Sequence, residues 1–116
     1  MKHLSDDEYI HILDVIMFKG IKALEDDENI EVKKDFNAMK SGNVFVEYEY
    51  DGRPSGLATS IVDFYCFVVS EGQYLIIELN ELKKKCRKYL NTRRDVLSSV
   101  NNKKRGIILP IKELLS

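Results

Sequence analysis

Val44-Phe45-Val46-Glu47-Tyr48-Glu49-Tyr50, followed at once by Asp51-Gly52-Arg53-Pro54-Ser55-Gly56, decides the fold class. The first seven residues alternate with a period of two. That predicts a strand with Phe45, Glu47 and Glu49 on one face and Val44, Val46, Tyr48 and Tyr50 on the other. The next six are rich in the residues that turn a chain. Ser41-Gly42-Asn43 forms the turn before the strand.

Working upstream, Asn29–Lys34 alternates in the same way and reads as a second strand. Gly20–Glu28, with acids at 25–28, is a solvated loop or hairpin turn, and Asp14–Lys19 is a further strand. Ser5 with Glu8 three residues on fits a capping box and predicts a short helix over about 5–12. Working downstream, Leu57–Val62 suits a short helix. Asp63–Val69 is an apolar run of buried-strand type, and Glu71-Gly72 turns it into a strand over Gln73–Glu78. Asn80 can cap a helix running to about Leu90. Its apolar stripe is Leu82, Cys86, Tyr89 and Leu90, opposite Lys83, Lys84, Arg87 and Lys88. A basic turn at 101–106 leads to a short strand, Ile107–Leu109, and Pro110 opens a last helical turn. Strands interspersed with helices give an α/β or α+β sheet packed by helices.

At 116 residues the chain has the size of one domain, taken as 1–116. Hydrophobic content of 44% against 32% charged residues excludes a disordered tail. No apolar run approaches the roughly 18 residues of a membrane span. Met1–Asp7 turns acidic too early for a signal peptide. Cys66 and Cys86 are too few for a disulfide scaffold or structural zinc site, so the cytoplasm is the expected location. Both cysteines sit in apolar settings and read as structural, and His3 and His11 as surface or core-edge residues.

A net charge of −1 hides an asymmetry. Residues 1–80 carry 7 basic and 16 acidic side chains, and residues 81–116 carry 11 and 3. The two halves can neutralise each other within one fold, or the basic third can meet an anionic partner.

Glu31-Val32-Lys33 carries the chemistry. Residues two apart on a strand share a face, so Glu31 and Lys33 project together while Ile30 and Val32 face the core. A carboxylate beside an ammonium can serve metal-assisted phosphodiester cleavage: the acid holds Mg²⁺ (or Mn²⁺), and the lysine steadies the phosphate or orients water. A hard cation wants further oxygen ligands. Asp14 is the natural second metal ligand, provided 14–19 and 29–34 pair as a hairpin. The triplet alone equally suits an exposed salt bridge, and Asp14 a helix end or turn. Glu47 and Glu49 either share a cation or face solvent, with Glu47 the better functional candidate. Pro54-Ser55-Gly56 places backbone N–H groups where a phosphate can dock, or is a plain turn and cap. Asp63 suits a loop-holding role.

Glu31-Val32-Lys33, then Gly42-Asn43-Val44-Phe45-Val46-Glu47-Tyr48-Glu49, then Gly52-Arg53-Pro54-Ser55-Gly56 with Thr59, Ser60, Asp63 and Phe64 resemble the PD-(D/E)XK nuclease superfamily, in particular its small phage and bacterial members. Gly106–Leu114 is similar to the way such chains end. The resemblance covers about two-thirds of the chain. It implies a restriction-endonuclease-like mixed β-sheet flanked by helices, with the active site at the sheet edge. It also implies Asp14 and Glu31 as metal ligands, Lys33 as catalytic lysine, Glu47 and Ser55 lining the same cleft, and Glu8 as the candidate helix glutamate.

The expected activity is Mg²⁺-dependent endonucleolytic cleavage of DNA, selective for branched or junction structures and carried out by a homodimer, in the host-cell cytoplasm if the chain is phage-encoded. Lys83, Lys84, Lys85, Arg87, Lys88, Arg93, Arg94, Lys103, Lys104 and Arg105 are candidates to track a phosphate backbone, or form a solvated face. No recognition-helix or zinc-finger spacing supports base reading. The alternatives are an inactive nucleic-acid-binding module and a phage regulatory protein-interaction domain.

Overall fold

A computed structural model of the chain describes Asp7 and residues 25–115. Apart from Asp7, the expected helix over 5–12 lies outside these residues, as does the strand over 14–19 and so its hairpin with 29–34.

The interior is organised by one strand, Phe64–Ser70 (β4), whose first six residues are all buried. A strand can be apolar on both faces only when both are covered. Ile30–Lys34 (β1) pairs with β4 in parallel, setting Ile30 opposite Phe64, Glu31 opposite Tyr65 and Lys33 opposite Phe67. Gln73–Glu78 (β5) pairs on its other side, antiparallel, after the turn at Glu71-Gly72. This mixed sheet has the order β1-β4-β5. One of its faces gathers Ile30, Phe64 and Cys66 with Val32, Tyr74 and Ile76. The other carries Tyr65, Phe67, Val69 and Ile77 into the main core.

A second sheet meets that main core. Asn43–Tyr50 (β2) lies between Arg53–Pro54 (β3) and Lys104–Pro110 (β7), and Asp95–Leu97 (β6) flanks β7, all antiparallel. Val44 and Val46 stand opposite Leu109 and Ile107, and all four are at most 2% exposed. The chain is thus α/β, as the order of elements implies, with its strands divided between two sheets. Asp35 joins them: its N–H donates to the Val68 carbonyl at 2.9 Å, and its carboxylate accepts the Phe45 N–H at 3.2 Å.

Three helices complete the packing among the described residues. Ala38–Ser41 (α1) is closed by Gly42 in the left-handed region at φ 76°. Leu79–Arg87 (α2) follows β5 with no loop and buries Leu79, Leu82 and Cys86 against the main core. Ile111–Leu115 (α3) buries Leu114. The N-cap position of α2 is Glu78, so Asn80 lies in the first turn and is not the expected cap, and the helix stops at Arg87, short of Leu90. The expected helix over Leu57–Val62 is a single 3₁₀ turn at Gly56–Ala58. The last strand is longer than Ile107–Leu109, because β7 runs from Lys104 along both β2 and β6. Among the described residues no helix is long and apolar enough to cross a membrane.

Candidate active site and basic surface

The alternation of β1 places Glu31 and Lys33 together, and Lys33 Nζ lies 3.2 Å from Glu31 Oε1. Both side chains are a little over 40% exposed. Through the parallel register they share a sheet face with Tyr65 and Phe67. Glu25, Glu31, Lys33 and Lys34 line an open depression of about 400 Å³ along β1, and Lys34 pairs with Glu25 at 2.8 Å. A half-exposed pair of this kind contributes at most about 1 kcal/mol to stability, so its geometry leaves both groups available for other work. Asp14 and Glu8 fall outside the described residues, as do His3 and His11. Among the described residues no three His, Cys, Asp or Glu side chains come together as a metal cage. The described part of the site supplies two carboxylates, Glu31 and the Lys34-paired Glu25.

The second motif builds a different cluster. Ser55 Oγ donates to Glu47 Oε2 at 2.7 Å, and Lys104 Nζ stands 3.9 Å from Glu47 Oε1. Gly56, at φ +50°, presses so close to β2 that a Cβ there would sit 2.4 Å from the Glu47 carbonyl oxygen. That contact accounts for the glycine in Pro54-Ser55-Gly56. The Ser55 N–H donates to the Tyr48 carbonyl at 3.0 Å, so it is spent inside the fold and not offered to a phosphate. Glu47 and Glu49 do not act as a matched pair either. A bulge between them interrupts the alternation, and Glu49 turns to Arg105 at 3.8 Å. Asp63 holds its loop through the backbone: its N–H reaches the Asn29 carbonyl and its carbonyl takes the Leu79 N–H, both at 2.9 Å.

Tyr65 is the residue that sequence reasoning missed. It is 2% exposed and opposite Glu31. Burial pushes its phenol up to about 12; a hydrogen bond with Ser60 opposes this, and the charges of Glu31 and Glu47 add to it. One phenol therefore feels a carboxylate from each sheet. Only the pairing of β1 with β4 brings it there, and parallel pairing leaves no local mark in a sequence. Cys66 and Cys86 are buried, and burial pushes both thiols up to about 12, so neither is a nucleophile.

Apart from Lys85 and the Glu47-paired Lys104, the basic residues divide into two groups. Arg94 donates to Asn43 Oδ1 and to the Ile108 carbonyl, each at 3.1 Å, and lies over the Tyr89 ring. Arg105 pairs with Asp95 at 3.4 Å and with Glu49. Lys88 bonds Glu113 at 2.8 Å, beside the Tyr89 hydroxyl, and that bond holds the Glu113 carboxyl below its usual range. These three cations hold the fold together. Lys83, Lys84, Arg87, Arg93 and Lys103 are not among the ion pairs of the described residues, and Lys84, Arg87, Arg93 and Lys103 are exposed.

Compared with protein-family models, with curated proteins and with solved structures, the chain matches none.

Proposed function

We propose that the chain is a metal-dependent endodeoxyribonuclease of the kind its resemblance to PD-(D/E)XK nucleases implies. The observation that carries this reading is the Glu31–Lys33 pair, co-facial at 3.2 Å on a strand bordering an open depression. Glu31, with Asp14, would hold Mg²⁺ or Mn²⁺, which when bound supplies a Lewis acid toward a phosphodiester oxygen. Lys33 supplies a fixed positive charge beside the scissile phosphate and orients the attacking water. Glu47, fixed by Ser55, adds its negative charge to that of Glu31 at Tyr65 and would serve the same substrate from the neighbouring cluster. Lys83, Lys84, Arg87, Arg93 and Lys103 track the phosphate backbone without reading sequence. A homodimer would bring two such sites to opposite strands of branched or junction DNA in the cytoplasm.

The decisive experiment incubates the protein with duplex, single-stranded and four-way DNA in Mg²⁺, Mn²⁺ or EDTA. Metal-dependent cleavage, lost in Lys33→Ala and Glu31→Ala with binding retained, is the expected result. An active Glu31→Ala enzyme would overturn the ligand assignment. The second reading is a binding module without cleavage. Binding without cleavage in every metal would establish it.

A further inference from the structure

The face of α2 that looks toward β2 across a cleft carries a feature the cleavage chemistry does not use. A cleft of about 280 Å³ opens between the helix, the 3₁₀ turn and the second sheet. Its floor is apolar: Val46, Leu57, Cys86 and Ile107 are each at most 5% exposed. Its rim carries Lys83 and Arg87 from α2. These two cations lie four positions apart on one helix face, where like charges repel. No acidic residue pairs with either among the described ion pairs, whereas the neighbouring Lys88 has Glu113. An apolar cavity under two unpaired cations is complementary to a ligand with a flat or greasy body and an anionic end.

The position of the cleft narrows the class. Tyr48 and Ala58 on its wall are close neighbours of Glu47 and Ser55. Cys86 at its floor and the carboxylates of Glu31 and Glu47 all act on the one phenol of Tyr65. Cys86 lines the cleft and Glu31 the depression, so both border the strands around Tyr65. Resting on the nuclease reading, we propose that this cleft receives the base of one unpaired nucleotide, with its phosphate held by Lys83 and Arg87. An extruded or single-stranded base gains by leaving water for an apolar slot. Selectivity for branched or frayed DNA then follows from the fold, since only such DNA offers an unpaired base without melting a duplex.

The test measures binding in EDTA, so cleavage plays no part in it. The probe is a fluorescein-labelled single-stranded 12-mer, compared with the same strand built from abasic tetrahydrofuran units. The intact strand should bind roughly tenfold more tightly, because each seated base adds a contact the abasic strand lacks. Ala58→Trp, which fills the cleft from an exposed position, should bring the intact strand down to the abasic level, and Leu90→Glu at the rim should do the same. Lys83→Ala with Arg87→Ala should weaken both strands. Equal affinity of wild-type protein for the two strands would overturn the proposal. So would a base preference that survives Ala58→Trp. Failure to cleave DNA in Mn²⁺ would sink the nuclease reading and leave this binding result standing.

Discussion

The Tyr48 hydroxyl donates to Asp95 Oδ1 at 2.6 Å, tying β2 to β6 across the intervening β7. Asp95 also accepts the Asn91 N–H at 2.9 Å and faces Arg105. Burial works against this carboxylate, but the bonds from Tyr48, Asn91 and Arg105 prevail and hold its pKa below the usual range. Burial, with the bond to Asp95, pushes the Tyr48 phenol up to about 12.

The sign of the pH dependence follows. A carboxyl whose folded value is depressed contributes stability above its unfolded value, near 3.9 for Asp, and loses it as pH falls through the lower folded value. Glu113 behaves likewise. Urea unfolding followed from pH 7 to pH 3 should show stability falling on the acid side. Asp95→Asn should lower stability at pH 7 and flatten that fall. Tyr48→Phe should cost about 1 kcal/mol, because Asp95 keeps its other donors. A steeper acid fall in Asp95→Asn than in wild type would contradict this account.

Gly56 and Gly72 both have positive φ, yet they should respond differently to alanine. At Gly72 a Cβ meets nothing within 4 Å, so Gly72→Ala costs only the left-handed backbone, about 1–2 kcal/mol. At Gly56 the same Cβ strikes the Glu47 carbonyl, and the turn must move away from β2. Chemical denaturation should show Gly56→Ala as clearly the more damaging change. Equal losses would mean that the turn yields freely.

Glu31 and Lys33 are exposed enough to be removed without unfolding the domain. Glu31→Ala and Lys33→Ala should each shift the unfolding free energy by no more than about 1 kcal/mol. A loss beyond about 2 kcal/mol would assign the pair to stability, and any loss of cleavage would then say nothing about chemistry.

Adjacent arginines should separate folding from binding. Arg93→Ala, at an exposed position, should leave stability within about 0.5 kcal/mol of wild type and weaken DNA binding. Arg94→Ala removes two hydrogen bonds and the stacking on Tyr89, and should cost about 1–3 kcal/mol in thermal or urea unfolding. With all five unpaired cations engaged, log K against log salt should fall with a slope of roughly −4 to −5 on duplex DNA. A flat salt dependence would remove the phosphate-tracking role.

The strands were legible where side chains alternate or run apolar. β2 and β4 announce themselves through Val44 to Tyr50 and Phe64 to Val69, and the co-facial placement of Glu31 and Lys33 follows from period two alone. β6 was not legible. Its three residues Asp95-Val96-Leu97 carry no period, and what holds them is distant: Tyr48 on Asp95, and the neighbouring Arg94 on Asn43. The internal bonds of Arg94 and Arg105 were not legible for the same reason. A basic side chain looks alike in sequence whether it meets solvent or a carboxylate far along the chain. The bulge that parts Glu47 from Glu49 also has no local signature, since it answers to the register with β7. The start of α2 was displaced from Asn80 because β5 feeds the helix directly and leaves no room for a separate cap.

The wholly buried character of β4 has a cost during synthesis. Phe64-Tyr-Cys-Phe-Val-Val-Ser70 is seven uncharged residues with strong β-preference and no proline, the kind of segment that stacks into cross-β assemblies when left bare. Its neighbours in the finished sheet come from both sides of it in sequence, and β5 has not yet emerged when β4 leaves the ribosome. Asp63 and Glu71 bracket the segment with negative charge and act as gatekeepers over that interval. Neutralising both would leave the native packing nearly untouched and turn the newborn chain toward aggregation.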